Sequence, residues 1–416
     1  MAKTIEFTQA ERENYDVVTE ILGLKDLDVV GQRYDAEQQT QAIYCVPRWD
    51  VAVCPMCLRV SNQIHDYPKQ RRLHDVPLSG KKVMLVFDSR RFECCHCHKS
   101  FTQEIQDVVP DCTYTYRLYE EIANPKRKQD VSTMADLYGI GYKTVEGILL
   151  KAGEAKLEVR REHPLQVIQL GIDEISQKKG HGDYVLVLTD LTRRIVLDVL
   201  PDRKKETLIQ WLLRPPDGID LSNLAFAATD LWAHYRAAVH TVFPLVAVVA
   251  DRFHVVQNLH KVIHEVRRDA QKAAVDEDER KQLKGLRYLL LKNEQNLTAA
   301  DKERLEALAD SHPDLFHLWK LRQDLHDWYE VRTTPELARA TLEQWIFDAR
   351  QLGMKHLDGF CDTLQTWQTE IVNFFHHRIT SGFVEGMNSK IRVLKRIAFG
   401  IPNYDHFRLR VIAFCG

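Results

Sequence analysis

Two pairs of cysteines constrain the first hundred residues of this chain more than any other feature of the sequence. A Cys-Pro-Met-Cys run at 54–57 and a Cys-Cys-His-Cys run at 94–97 each place two thiols three positions apart, with 36 residues between the runs. Two such turns can complete a tetrahedral Zn²⁺ site. We therefore predict a structural zinc ribbon whose ligands are Cys54, Cys57, Cys94 and Cys97. The alternatives for the fourth ligand are Cys95, His96 and His98.

Composition narrows the class of protein. The chain is 44% hydrophobic and 28% charged, which excludes a largely disordered protein. No apolar run reaches the ~18 residues of a membrane span, so we expect no membrane partner. Residues 1–9 lack the basic and apolar regions of a signal peptide. The nine cysteines are therefore expected in a cytoplasmic, nucleoid-associated protein, where metal binding is favoured over disulfides.

The charge is balanced overall but segregated along the chain. The net charge is −2, yet residues 45–100 carry ten basic and five acidic side chains. Basic stripes on a balanced chain indicate a polyanionic partner that binds at defined surfaces. On the cysteine-rich segment, the residues expected to contact DNA phosphates are Arg71, Arg72, Lys81, Lys82, Arg90 and Arg91.

A helical hairpin follows the cysteine-rich segment. Residues 130–138 and 142–152 have helical periodicity, and a Gly-Ile-Gly turn separates them. The apolar positions of both segments fall on one shared face, as in a helix-turn-helix motif. The second helix would present Tyr142, Lys143 and Thr144 at its N-terminal end, where a recognition helix meets base edges. The basic residues expected to contact the DNA backbone before this unit are Lys126, Arg127 and Lys128.

From Leu165 onward the pattern changes to short strands. Three runs separated by short links predict an antiparallel meander, and a helix, a fourth strand, a helix and a fifth strand follow before Asp251. Strand signals then vanish, and helical spacing continues to about residue 375. The pattern predicts a mixed α/β fold with a large helical insertion.

Three aspartates each close a predicted strand. Asp173 follows the first strand, Asp230 the fourth and Asp251 the fifth. If the first and fourth strands are neighbours, Asp173 and Asp230 meet at adjacent ends. Two close carboxylates raise each other's pKa unless a cation lies between them, so a divalent metal is expected. Asp230 and Asp251 each precede a helix, so the alternative is that they serve as helix caps.

A basic helix near the C-terminus supplies a further carboxylate. Glu385, Asn388 and Arg392 recur at a spacing of three to four residues and therefore share one face. This helix would offer a carboxylate to a metal and a row of cations to a phosphodiester backbone. Its expected DNA contacts are Lys390, Arg392, Lys395 and Arg396.

The chain resembles bacterial insertion-sequence transposases of the DDE class, most closely the IS-L-three (ISL3) type. The motifs that carry the resemblance are Leu22-Gly23-Leu24, the two cysteine runs, Gly171-Ile172-Asp173-Glu174, Asp251-Arg252-Phe253-His254 and Glu385-Gly386-x-Asn388-x-Lys390. The resemblance implies a ribonuclease-H-like mixed sheet with a large all-helical insertion, preceded by a zinc ribbon and a helix-turn-helix domain.

The resemblance also implies a metal-binding catalytic triad. Asp173 and Glu385 match the family pattern directly. For the second aspartate we favour Asp230 over Asp251, because in ribonuclease-H-like transposases this carboxylate follows the fourth strand. Asp251 and His254, which match an (Cys/Asp)-x-x-His element, and Asn388 are supporting residues. The triad would hold two Mg²⁺ or Mn²⁺ ions for phosphoryl transfer.

The expected domains follow from these assignments. They are a zinc-ribbon DNA-binding domain (1–101), a helix-turn-helix domain (102–162), the first part of the catalytic core (163–254), a helical insertion (255–380), and the last helix and tail of the core (381–416).

The implied partners are double-stranded DNA, both transposon ends with inverted repeats and target DNA, and further copies of the chain in a homodimer or larger assembly. A different function stays open at this point. The chain would then be a zinc-ribbon and helix-turn-helix regulator with an inactive nuclease-like core.

Overall fold

The structure, a computed structural model, describes residues 15–124, 129–176, 184–378, 382–397, 401 and 403–416. The chain separates into two compact units. The first comprises Met1–Lys156 and Val393–Phe414, and the second comprises Leu157–Arg392 and Cys415–Gly416. Among the described residues, every helix is too short or too polar to cross a bilayer.

The first unit begins with a short helix and a series of strands. These elements are α1 (Asp16–Leu22), β1 (Leu27–Asp35), β2 (Thr40–Pro47), β3 (Ala52–Val53), β4 (Val60–Ser61), β5 (Ile64–Asp66), β6 (Gln70–Leu78), β7 (Lys81–Asp88), β8 (Arg91–Glu93) and β9 (Ser100–Thr102). β3 pairs with β4, and β5, β8 and β9 form a three-stranded sheet, so both cysteine runs lie on small sheets.

The longer strands form a separate four-stranded sheet in the order β1-β2-β7-β6. β2 and β7 are parallel, and the other two pairs are antiparallel. One face buries Leu27, Ile43, Leu73 and Leu85, which are at most 2% exposed. This sheet gives the first unit a hydrophobic core that does not depend on the cysteines.

Three helices complete the first stretch of the chain: α2 (Tyr116–Ala123), α3 (Val131–Tyr138) and α4 (Tyr142–Glu162). Asp130 caps α3 by accepting a hydrogen bond from the Thr133 N–H at 2.9 Å. Gly139 ends α3 with a left-handed φ of 70°. The predicted shared apolar face is confirmed, because α3 and α4 contribute to one buried cluster. α4 continues ten residues beyond its predicted end at residue 152.

The second unit contains a second large sheet. Its strands and flanking helices are β10 (Leu165–Gln166), β11 (Gln169–Ser176), β12 (Tyr184–Asp190), β13 (Ile195–Leu200), α5 (Lys205–Leu213), β14 (Ile219–Asp220), β15 (Phe226–Thr229), α6 (Ala233–Val242) and β16 (Ala247–Ala250). The order of the five-stranded sheet is β13-β12-β11-β15-β16. The predicted antiparallel meander and the adjacency of the first and fourth strands are therefore confirmed.

Helices make up most of the remaining chain. They are α7 (Arg252–Ala273), α8 (Glu277–Gly285), α9 (Ala299–Ser311), α10 (Pro313–Glu330), α11 (Pro335–Gln351), α12 (Lys355–Thr366), α13 (Gln368–Val372), α14 (Phe374–His377), α15 (Gly382–Ile397) and α16 (Tyr404–Cys415). α7 to α14 share one hydrophobic core with the end of the five-stranded sheet. The four tryptophans of this region, Trp319, Trp328, Trp345 and Trp367, are at most 9% exposed.

The C-terminal helix packs against α4. Lys156 Nζ donates a hydrogen bond of 2.8 Å to the Ala413 carbonyl. A Cβ on Gly153 would lie 2.4 Å from the Leu409 carbonyl oxygen, so the two helices approach closely at this glycine. These contacts stabilise the part of α4 that follows residue 152, its predicted end.

We expect Gly218→Ala to destabilise the second unit strongly. Gly218 has a φ of 87°, and a Cβ there would lie 2.3 Å from the Arg160 carbonyl oxygen. Left-handed backbone and a clash with backbone atoms together cost about 2–4 kcal/mol. The control is Gly353→Ala, because Gly353 has a φ of 63° but no atom within 4 Å of its Cβ position. Thermal unfolding should show the larger loss for Gly218→Ala, and equal losses would contradict the close contact.

Candidate active site and metal centre

Three aspartates follow aligned positions on three neighbouring parallel strands. Ile172 of β11 pairs in register with Thr229 of β15, and Thr229 pairs with Ala250 of β16. The next residues are Asp173, Asp230 and Asp251. Asp230 and Asp251 directly follow the last residues of β15 and β16, whereas Asp173 lies within β11, which continues to Ser176, so the prediction that Asp173 closes its strand is wrong. The register nevertheless places the three residues at aligned positions across the sheet.

A histidine lies between two of these carboxylates. His254 Nε2 is 3.9 Å from Asp173 Oδ1 and 4.0 Å from Asp251 Oδ2. The Asp173 and Asp251 side chains are 15% and 10% exposed. Asp251 also caps α7, since its Oδ1 accepts a hydrogen bond of 2.7 Å from the Phe253 N–H. The capping alternative therefore describes Asp251 well.

Asp230 differs from Asp251 in its contacts. Its Oδ1 is buried and has no hydrogen-bond partner among the described residues. The pKa of Asp230 is raised to about 7, mainly by burial, with a lowering effect of His254 and further raising effects of Glu174, Asp173 and Asp251. The pKa of Asp173 is also raised, mainly by burial. Burial therefore disfavours the ionised form of both carboxyls in the metal-free protein.

α15 contributes an amide to this cluster. Asn388 is 1% exposed, and its Nδ2 donates a hydrogen bond to Asp173 Oδ2. Its Oδ1 is buried without a partner among the described residues. Glu385 precedes Asn388 by three residues on α15. The Glu385 side chain lies outside the described part of the structure.

Sequence reasoning missed a network around Glu174. Arg203 Nη1 donates to both carboxylate oxygens of Glu174 at 3.0 Å, and the Tyr235 hydroxyl donates to Oε2 at 3.2 Å. The Arg203 guanidinium also stacks on the rings of Tyr184 and Trp232, at 4.0 and 4.5 Å from their centroids. Glu174 is therefore neutralised by an arginine, whereas Asp230 has no arginine partner in the part of the chain that the structure describes. No motif or periodicity marked Arg203 or Tyr235.

The donor set of the acidic cluster suits a hard divalent cation. Carboxylate and amide oxygens are the ligands that Mg²⁺ and Mn²⁺ prefer. The unpartnered oxygens of Asp230 and Asn388 are buried acceptors, which are costly without a donor or a cation. The ligand atoms of the acidic cluster are nevertheless spread apart. In the described chain, only the four cysteines discussed below bring three or more ligand atoms within 4.8 Å of one another.

We expect Asp230→Asn to stabilise the metal-free protein at pH 8. The folded-state pKa of about 7 exceeds the ordinary value of 3.8, so folding disfavours the ionised carboxyl. The penalty is complete above pH 7, shrinks as the pH falls and vanishes below about pH 4. Its size is on the order of 2–4 kcal/mol.

Thermal unfolding in a chelating buffer measures this effect. The control is Asp220→Asn, because Asp220 also ends a strand but its pKa is lowered by the Ser222 N–H. A melting temperature of Asp230→Asn equal to that of the wild type at pH 8 would show that the buried charge is compensated.

The predicted zinc ligands lie together. Cys54 and Cys97 have sulfur atoms 3.6 Å apart, Cys57 and Cys94 have sulfur atoms 3.5 Å apart, and all four lie within 4.8 Å of one another. Backbone N–H groups of Cys97 and His96 lower the pKa of the Cys94 thiol to about 6, which favours the thiolate that binds zinc.

The alternatives for the fourth zinc ligand lie outside this group. Cys95 is exposed and its sulfur is 3.4 Å from Ser61 Oγ, and the His96 ring faces Arg59. Phe92 and Phe101 stack behind the cysteines with ring centroids 6.0 Å apart. Four sulfurs and two rings therefore form a small site with the donor set of structural zinc.

The predicted DNA-contacting residues have different surroundings. Arg90 pairs with Asp50 at 2.8 Å, and Arg91 pairs with Asp66 at 2.5 Å. Arg71 Nη2 donates to the Cys112 carbonyl at 3.0 Å. The exposed members of the set are Arg72, Lys81, Tyr142, Lys143, Lys390, Arg392 and Arg396, and the half-buried members are Lys82, Thr144 and Lys395. Lys126, Arg127 and Lys128 lie outside the described residues.

Comparisons with known proteins support the family resemblance that the sequence motifs indicated. Residues 170–411 match a family model described as a transposase, the ISL3 type of the DDE class. Residues 50–97 match the zinc finger of transposases IS204/IS1001/IS1096/IS1165.

Two relatives are similar over most of the chain. The transposase for insertion sequence element IS1001 of Bordetella parapertussis is 29% identical over 378 residues, which cover 90% of this chain and 91% of that protein. The transposase for insertion sequence element IS1557 of Mycobacterium tuberculosis is 26% identical over 311 residues, 69% of this chain and 68% of that protein.

Proposed function

This chain belongs to the ISL3 family of DDE transposases, and from that membership we propose that it binds the terminal inverted repeats of an insertion sequence and catalyses metal-dependent DNA strand cleavage and strand transfer. The observation that most supports this proposal is the aligned placement of Asp173 and Asp230 on neighbouring strands. Asn388 of α15 donates a hydrogen bond to Asp173 at the same place. The strand order β13-β12-β11-β15-β16 supports a ribonuclease-H-like core.

In this proposal Asp173, Asp230 and Glu385 hold two Mg²⁺ or Mn²⁺ ions. Such ions activate an attacking oxygen and stabilise the leaving oxygen of a phosphodiester. Asn388 orients Asp173 through its amide N–H, and it ties the helix of Glu385 to the sheet edge. Asp251 fixes the start of α7, which positions His254 next to Asp173.

The choice of Asp230 over Asp251 rests on their contacts. Asp251 has a structural task, since it accepts the Phe253 N–H and caps α7. Asp230 keeps a buried oxygen without a partner among the described residues, and it neighbours Asp173 through the β11–β15 pair. A carboxylate that is buried, unpartnered and crowded by other carboxylates is the better metal ligand.

Recognition of the DNA ends would fall to the first unit. The zinc ribbon and the α3-turn-α4 helix-turn-helix both carry exposed cationic or aromatic side chains, such as Arg72, Tyr142 and Lys143. Four sulfur ligands leave no open position for chemistry, so the zinc would be structural. Because two ends must be joined, we propose that the active form is a dimer or larger assembly.

Incubation of the full chain with end-labelled inverted-repeat DNA tests the proposed function. We expect specific binding without divalent metal, and strand cleavage when Mg²⁺ or Mn²⁺ is added. Binding without any nicking, in either metal, would favour the regulator with an inactive core. A duplex of scrambled sequence controls for non-specific binding.

A further inference from the structure

A group of cations on the helical part of the second unit has no place in the proposed active site. α7 carries His264, Arg267 and Arg268, and Arg287 follows α8. His264 lies three residues before Arg267 and four before Arg268, so it neighbours each of the two arginines along the helix. Arg268 and Arg287 are exposed, whereas Arg267 is 7% exposed.

Two nitrogens of this group are buried without an acceptor. Arg267 Nη1 donates to the Leu283 carbonyl at 3.1 Å and to Gln271 Oε1 at 3.2 Å. Arg267 Nε and His264 Nδ1, however, have no hydrogen-bond partner in the part of the chain that the structure describes. A buried donor without an acceptor carries a desolvation penalty, which a bound acceptor would remove.

Within the described ranges, no ion pair joins a carboxylate to Arg267, Arg268 or Arg287. Glu265 and Asp269 of the same helix pair with His356, at 3.3 and 2.9 Å. Burial lowers the pKa of Arg267, and Arg287 and Arg268 lower it further. The pKa of His264 is lowered by burial and then by Arg287, Arg267 and Arg268. The three arginines thus crowd positive charge around a histidine whose neutral form is favoured.

Arg322 shows that this fold can satisfy a buried arginine when its role is structural. Arg322 is 6% exposed, and each of its three nitrogens has a partner. Nε donates to His260 Nε2 at 3.1 Å, Nη1 to the Lys292 carbonyl at 3.2 Å, and Nη2 to Asn293 Oδ1 at 2.7 Å. Arg267 differs because its buried Nε has no hydrogen-bond partner among the described residues.

We propose that His264, Arg267, Arg268 and Arg287 form a phosphate site that holds the backbone of the DNA on which this chain acts. The identity of the ligand as DNA rests on the proposed function. A phosphodiester brings negative charge and several acceptor oxygens, and guanidinium groups match phosphate geometry closely. Arg267 is the buried anchor, and the exposed Arg268 and Arg287 close around the phosphate. No base contact is involved, so the site adds affinity and positions the duplex without reading its sequence.

The first arm of the test uses inorganic phosphate and does not depend on DNA. The double variant Arg268→Ala/Arg287→Ala changes two exposed residues, so we expect it to fold. The control is Arg332→Ala/Lys355→Ala, which removes two exposed cations elsewhere in the second unit, one in the link between α10 and α11 and one at the start of α12. Sodium phosphate should raise the unfolding temperature of the wild type and the control, relative to chloride at equal ionic strength, and the rise should be lost in the double variant. An equal rise of the unfolding temperature in all three proteins would contradict the proposed phosphate site.

The second arm measures binding of a duplex without inverted repeats as a function of salt. Loss of one phosphate contact should reduce the slope of log K against log salt by about 0.9, with roughly tenfold weaker binding at low salt. A slope equal to that of the control would overturn the assignment to DNA, even if phosphate still stabilises the wild type. Cleavage by the wild type is scored separately. If the wild type does not cleave, the proposed function is wrong. If the wild type cleaves but the double variant has the same salt slope and duplex affinity as the control, the phosphate site is wrong.

Discussion

Asp173→Asn should abolish metal-dependent cleavage of transposon-end DNA and leave end binding intact. Asp173 contacts most of the other residues of the described site. It accepts a hydrogen bond from Asn388, lies next to His254 and neighbours Asp230 through the β11–β15 pair. Removing one ligand charge from such a site should reduce the cleavage rate by about 10³-fold or more, which is about 4 kcal/mol of barrier.

The same assay separates Asp230 from Asp251. Asp230→Asn should match the loss seen for Asp173→Asn. Asp251→Asn should stay within about tenfold of the wild type, because asparagine caps a helix as well as aspartate does. Asp220→Asn is the matched control at another strand end, where the side chain accepts the Ser222 N–H at 2.8 Å. Cleavage retained in Asp230→Asn but lost in Asp251→Asn would assign the second triad position to Asp251.

Loss of zinc should unfold the small sheets of the first unit and weaken end recognition by about 100-fold or more. The core around the four cysteines consists of Cys54, Phe92, Cys94 and Phe101, which is too little apolar surface to fold without metal. In small zinc domains the binding free energy of the ion is the folding free energy. Hydrogen exchange should therefore show lost protection from about residue 48 to residue 103 after chelation.

Cys94→Ser and Cys95→Ser form the matched pair for this experiment. Only Cys94 belongs to the group of four sulfurs, whereas the neighbouring Cys95 is exposed. Cys94→Ser should reproduce the effect of chelation, and Cys95→Ser should bind ends as the wild type does. Protection of the five-stranded sheet should be unchanged in both variants. Undiminished end binding by Cys94→Ser would remove the zinc ribbon from end recognition.

The sequence predicted the features that depend on local pattern. The strand runs predicted that Asp173 and Asp230 lie on neighbouring strands, because side-chain alternation and turn residues are local, but the predicted strand end at Asp173 was wrong, since β11 continues to Ser176. The helix over Val131–Tyr138 followed from helical periodicity, and the Gly-Ile-Gly turn indicated where it ends. The cysteine spacing likewise indicated which four sulfurs come together.

Features that depend on distant pairing were not predicted. The four-stranded sheet joins β2 to β7 in parallel across about forty residues, and nothing local marks that pair. α4 extends to Glu162 because α16 packs along it through Gly153 and Lys156, although the apolar periodicity of α4 fades after residue 152. Arg203 lies in the link between β13 and α5, and Tyr235 lies in α6, so only the folded chain brings both of them to Glu174.

Counting Mn²⁺ ions by electron paramagnetic resonance, on the zinc-loaded full chain bound to end DNA, tests the central proposal most directly. We predict two tightly held ions per protomer in the wild type and in Asp220→Asn. Asp173→Asn and Asp230→Asn should each hold one ion or none. Two ions retained in both of these variants would show that the aligned aspartates do not hold the catalytic metal.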